Sequence, residues 1–157
     1  MMRKGESQDD PGHRALRAGR ESVPGEWYAI ATRAAIEDLR PVTRLIIDEA
    51  RRLEDEGRIR LHVVVVMPDH CHMILELLGS AGLPQVRQLL KGRSSRIANQ
   101  ALNRTGPLWM EAYYEHLIHD GRDAREQWWY VVQNPVREGL ADKWEEYPHI
   151  HTGRHVI

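Results

Sequence analysis

Apolar positions along the chain fall into two rhythms. Leu61-His62-Val63-Val64-Val65-Val66 is the most apolar run. Its length and β-branched content predict a buried strand. Pro68-Asp69 marks a turn, and the chain then returns as a second strand from His70 through Leu77. Trp27 to Arg33 and Leu108 to Ile118 have aromatic and β-branched content that predicts two further strands, although the alanines of the first are poor strand formers. Elsewhere the spacing is helical. Val42, Leu45, Ile46, Ala50 and Leu53 recur at three and four residues behind Pro41, and Gly57 supplies a stop. Leu83 to Asn103 repeats the pattern with Val86, Leu89, Leu90, Ile97 and Ala101. Gly92 inside it costs about 1 kcal/mol relative to Ala, or allows close approach of a ligand backbone. Asp120 caps a third helix from Gly121 to about Gln133, and Pro135 interrupts it before a short turn at Val136 to Leu140.

The order is strand, helix, strand, strand, helix, strand, helix. The first six elements match an α+β fold, a ferredoxin-like split βαβ sandwich with an antiparallel sheet and helices. A C-terminal helix is left over to bring something to the sheet. The expected organisation is a tail over residues 1–25, one domain over 26–148 and a polar tail over 149–157.

Composition narrows the functional classes. With 157 residues the chain supports one domain with a core, and no apolar run approaches a membrane span. The N-terminus is polar and shows no secretory signal. One cysteine allows neither an internal disulfide nor a multi-cysteine zinc cage. A cytoplasmic protein is the expectation. The net charge of −1 is unremarkable, but its distribution is not. Between Leu77 and Met110 there is no Asp or Glu, while Arg87, Lys91, Arg93, Arg96 and Arg104 all fall there. Such a stretch is either a solvated helix face or a track for a phosphate backbone.

Two neighbourhoods carry candidate chemistry. On a strand, residues two apart point the same way, so His70 and His72 present two imidazoles together while Cys71 faces away. That is half of a divalent-metal site, or a pair of solvated histidines. At about 100° per residue, Ala124, Trp128 and Val131 form the packing stripe of the third helix. Tyr130 lies off that stripe, with Asn134 at i+4 and Gln133 at i+3 near it. Each has an ordinary alternative: an amphipathic core-edge tyrosine, and a capping asparagine before Pro135. Together they suggest more. Two imidazoles and an amide oxygen make a three-ligand site that could polarise a phosphate, and a nearby phenol could attack its phosphorus.

Met67-Pro68-Asp69-His70-Cys71-His72 resembles the signature of the HUH single-tyrosine transposases, in which two histidines flank a hydrophobic residue. Lys91-Gly92 with Ser94 and Ser95, then Leu108-Trp109 and Tyr113-Tyr114-Glu115-His116-Leu117-Ile118, resemble further segments of that family. Tyr130-Val131-Val132-Gln133-Asn134-Pro135-Val136-Arg137-Glu138-Gly139-Leu140 resembles its C-terminal motif, in the Asn-Pro form of the REP-associated branch of the IS200/IS605-like group. The resemblance covers roughly residues 26 to 148. It implies metal-dependent cleavage and strand transfer on single-stranded, hairpin-bearing DNA in transposition. By the same resemblance Tyr130 is the nucleophile, joined to a 5′ phosphate with release of a 3′ hydroxyl. His70, His72 and Asn134 bind Mg²⁺ or Mn²⁺, with Gln133 as the alternative third ligand, and the assembly is a monomer or a homodimer.

His119 stands where relatives often carry Arg, and Tyr147-Pro148-His149-Ile150-His151 replaces a common aromatic-Ser-Ser ending. The latter creates a second His-x-His pair, with His155 nearby, which reads as a tail. If DNA binds, Arg87, Lys91, Arg93, Arg96 and Arg104 are the expected phosphate contacts. Tyr114 is the expected stacking residue, and Trp109 belongs to the core. The competing reading is a non-catalytic hairpin or single-strand binder of the same fold. A zinc nucleobase deaminase is excluded because it needs a pair of cysteines.

Overall fold

The computed structural model describes residues 22–154. Residues 1–21, most of the expected N-terminal tail, lie outside it, as does His155. The strands are β1 (Trp27–Ala34), β2 (Ile59–Val66), β3 (His70–Leu77), β4 (Trp109–Ile118) and β5 (Ile150–Thr152). The helices are α1 (Thr43–Asp55), α2 (Leu83–Leu102), α3 (Gly121–Val132) and the single turn α4 (Asn134–Arg137). The sheet order is β4-β1-β3-β2-β5, and every pairing is antiparallel. Its first four strands reproduce the expected split βαβ order.

Both faces of the sheet are covered. Tyr28, Ile30, Leu61, Val64, Met73 and Leu75 pack with Ile46 and Leu53 of α1 and Val86 and Leu90 of α2. Ala29, Val63, Val65 and Ile74 face the other way, against Ala124, Val131 and Val132 of α3. Burial on two faces explains why β2 reads as continuous valine rather than as an alternation. The register of β2 shifts between Leu61 and Val63, a bulge that puts Leu61 and Val64 on one face across an uneven spacing.

Local signals act as the sequence predicts. Gly57 ends α1 with φ +75°, and Asn103 closes α2 in the left-handed region at φ 51°. The Asp120 side chain accepts the Asp123 N–H and caps α3. Pro41 lies in a 3-10 turn, Arg40–Val42, that leads into α1. Pro135 splits α3 from α4 because it has no N–H to continue the ladder. Gly92 is ordinary helix with open space where a side chain would be, so nothing approaches it closely. No helix among the described residues is long and apolar enough to cross a membrane.

One expectation is corrected over its described part. Within the expected tail, residues 149–154 do not form a plain tail, since β5 adds a fifth strand against β2. Tyr147 anchors it: the ring is 5% exposed, and its hydroxyl donates to the Val66 carbonyl at 2.7 Å. The Val66 N–H in turn donates to His149 O at 2.9 Å. A three-residue strand among histidines has too little period to be read from sequence. Gly153 donates its N–H to His62 O at 2.8 Å, and a Cβ there would collide with the Leu61 carbonyl. Gly153→Ala is therefore expected to displace the end of β5 and destabilise the fold by about 1–3 kcal/mol. Thermal or urea denaturation checks this, and an unchanged midpoint would mean that β5 contributes no stability.

Candidate functional site

His70 and His72 are 0% and 2% exposed, and their rings lie 4.8 Å apart, edge to face. Both point to the α3 side because the pleat sends Cys71 to the α1 and α2 side. Burial holds the Cys71 thiol up at about 12, so it offers no thiolate. Burial pushes His72 well below the ordinary imidazole range, with the charges of His70 and Arg137 acting in the same direction. Burial also lowers His70, against an opposing pull from Asp69. Both imidazoles are therefore neutral at neutral pH, the form that donates a lone pair to a metal.

Asp69 fixes the tautomer of His70. Its Oδ1 lies 2.7 Å from His70 Nδ1, which places the proton there and frees Nε2 as an acceptor. Burial raises the Asp69 carboxyl, but His70 and Arg33 outweigh it and the net shift is downward. Arg33 stands 3.6 Å from the other carboxylate oxygen. Arg33 is also the cross-strand partner of His70, so the carboxylate and the imidazole are held from both sides.

The C-terminal motif reaches this pair. Asn134 is fully buried at the start of α4, with Nδ2 3.2 Å from His70 Nε2. The Tyr130 ring is half-buried and lies 6.1 Å from the His72 ring, edge to face. The helix that carries Tyr130 is tied to the sheet by His116, whose Nε2 lies 2.9 Å from Asp123 Oδ2. His119 is exposed, and its backbone N–H donates to the same carboxylate at 2.9 Å. Gln133 ends α3 through its backbone N–H, and its side chain makes no hydrogen bond to either histidine.

These residues fit a divalent ion. Among the described residues His72 Nε2 is buried with no hydrogen-bond partner, an orphan that a metal would satisfy. Rotating the Asn134 amide by half a turn exchanges nitrogen for oxygen and presents Oδ1 where Nδ2 now meets His70. Among the described residues no three His, Cys, Asp or Glu side chains cluster to hold a metal, so the third protein donor here would be that amide.

The structure does not bring the predicted basic residues to this site. Arg87, Lys91, Arg93, Arg96 and Arg104 lie on α2 and the loop after it, across the sheet from the histidines. Most have local partners. Arg87 pairs with Glu115 at 3.3 Å, and its guanidinium sits 3.7 Å over the Tyr113 ring. Arg93 bridges to Glu56 at 3.0 Å. Lys91 donates to Met110 O at 2.9 Å, and Arg104 to Asn99 Oδ1 at 2.6 Å. Arg96 is exposed.

Strand alternation also separates the tyrosines. Tyr113, 39% exposed, faces α2, while Tyr114, 8% exposed, is buried beside Ala31 on the histidine side. Tyr114, expected to stack on an unpaired base, thus has its ring turned inside rather than out to solvent. Trp109 is core as expected, with Nε1 donating to Ser94 Oγ at 2.8 Å. Sequence reasoning missed Asp69, Arg33 and Arg137. Asp69 read only as half of a turn, and its place directly before His70 was the available signal.

The family model described as "Transposase IS200 like" matches residues 33–125, ending before Tyr130. A Haemophilus influenzae protein named as a REP-associated tyrosine transposase is 25% identical over 96 residues, 55% of this chain and 54% of that one. The chain thus spans about half the length of that curated relative. The solved structure of a REP-associated tyrosine transposase bound to a REP hairpin shares the fold, with TM-score 0.70 and 18% identity over 83% of this chain and 79% of that one. A Deinococcus radiodurans protein described as a transposase aligns with TM-score 0.52 and 23% identity over 73% of this chain and 95% of that one. The family match extends over more than half of a sequence whose sheet presents the paired histidines, and the chain belongs to the IS200-like transposase family.

Proposed function

We propose that this chain cleaves and rejoins single-stranded DNA through a covalent link between Tyr130 and a 5′ phosphate, beside a hairpin, as the chemical step of transposition. One observation carries the reading. Asn134 and Tyr130, about sixty residues beyond β3 in sequence, return to the histidine pair at 3.2 Å and 6.1 Å. A structural role for the tyrosine or the asparagine does not require them to meet two buried, neutral imidazoles.

Each residue has a task in this scheme. His70 and His72, with the Asn134 amide oxygen, would hold Mg²⁺ or Mn²⁺. The ion when bound supplies Lewis-acid polarisation of the scissile phosphate. Asp69 keeps His70 in the tautomer that binds. Tyr130 Oη forms the bond to phosphorus as its proton leaves to solvent, and the bond from phosphorus to the 3′ oxygen breaks. The 3′ oxygen takes a proton and departs as a hydroxyl. Because the phosphoester bond is exchanged rather than hydrolysed, the reverse attack by a 3′ hydroxyl rejoins a strand. Imidazole is a better partner for Mn²⁺ than for Mg²⁺, so Mn²⁺ supports the reaction at least as well. The proposed place of action is the cytoplasm.

Two measurements test the reading. Labelled single-stranded hairpin oligonucleotides from DNA flanking the gene, incubated with Mn²⁺ or Mg²⁺, are expected to give a covalent protein–DNA band on a denaturing gel. Tyr130→Phe or a chelator should abolish it. A hairpin bound tightly with no adduct would favour the non-catalytic binder, and an adduct that survives Tyr130→Phe would remove the nucleophile assignment. Separately, Asp69→Asn is expected to weaken Mn²⁺ binding by about 10–100-fold in calorimetric titration while the fold is kept. Equal affinity in the two proteins would contradict the role given to Asp69.

A further inference from the structure

Arg137 has no part in the scheme above. It ends α4, is exposed, and folds back over the tyrosine. Its Cζ lies 4.2 Å from the centroid of the Tyr130 ring, and Nη2 donates to the Tyr130 carbonyl at 2.6 Å. Other arginines near the core have carboxylate partners: Arg33 with Asp69, Arg87 with Glu115, Arg93 with Glu56. Among the described residues no carboxylate pairs with Arg137, and both of its close contacts are to Tyr130.

A guanidinium carries five N–H donors in a rigid planar fork. Capping the last turn of α3 accounts for one of them. It does not account for the stack on the ring, which fixes a full positive charge beside the phenol. We propose that Arg137 binds the phosphate that Tyr130 attacks, its unpaired guanidinium taking the non-bridging oxygens while the tyrosine ring holds it in place. The inference rests on the reading of Tyr130 as nucleophile. A phosphodiester presents two non-bridging oxygens, sharing one negative charge, at the spacing that a guanidinium fork meets with two parallel hydrogen bonds. Arg137 then acts by direct contact with substrate, drawing the phosphorus toward the ring on which it is stacked.

The test uses 5′-dTMP, whose phosphate resembles the end that stays on the tyrosine. It is titrated into the full chain and followed by ¹⁵N NMR of the arginine Nε groups. The nucleotide is expected to move the Arg137 Nε signal in wild type and in Tyr130→Phe alike. The dissociation constant should rise by about tenfold in Arg137→Gln. Arg137→Lys should fall between, because it restores the charge without the fork, and it guards against a variant that only fails to fold. An unmoved Arg137 signal, or the same dTMP response in wild type and Arg137→Gln, overturns the proposal. The nucleophile reading fails by a different result, a DNA adduct that survives Tyr130→Phe.

Discussion

Because β3 is buried on both faces, the two-residue repeat of its pleat sorts its side chains without exception. Cys71, Met73, Leu75 and Leu77 go to the side of α1 and α2, and His70, His72 and Ile74 to the side of α3. A slip of one residue would put a thiol and a thioether where the imidazoles now sit. The apolar set on each face therefore locks the register, and the histidine geometry comes with it. The neighbouring strands respect the same row. Ala31 stands between His72 and Tyr114 across the sheet, and Val65 closes the row on the other side. An alanine there leaves room for the flanking rings.

Burying two imidazoles is favourable only if they are neutral and their nitrogens have partners. Asp69 meets one nitrogen of His70 and Asn134 the other, while His72 Nε2 is left over. That leftover nitrogen carries the lone pair the proposed ion would take. The histidine pair is framed by packing that has other reasons to exist: the apolar stripe of α3, the His116–Asp123 pair and the break at Pro135. The break matters for geometry. Ending α3 at Val132 and restarting at Asn134 turns a buried amide toward His70 while Tyr130 stays half-exposed.

The order of the elements and the strand faces of His70 and His72 were legible because they follow from periodicity and a few strong punctuators: Gly57, Asp120 and Pro135. The meeting of Tyr130 and Asn134 with the histidines was legible only through resemblance, since no local pattern brings β3 and α3 together. Three things were not legible. The basic residues from Arg87 to Arg104 cluster in sequence, but which sheet face α2 covers depends on tertiary packing. Tyr113 and Tyr114 differ by one residue, and only the register of β4 decides which is inside. β5 is too short to carry a period, and the Tyr147 hydroxyl that fixes it bonds a carbonyl 81 residues away.

The claim at the centre of this account is that His70 and His72 jointly hold the ion that serves Tyr130. Electron spin-echo spectroscopy of bound Mn²⁺, in protein labelled with ¹⁵N-histidine, reads this directly. The account predicts couplings from two imidazole nitrogens, with one lost in His70→Gln and one lost in His72→Gln. Couplings that persist unchanged in both variants, as an ion resting on His149 and His151 would give, contradict it.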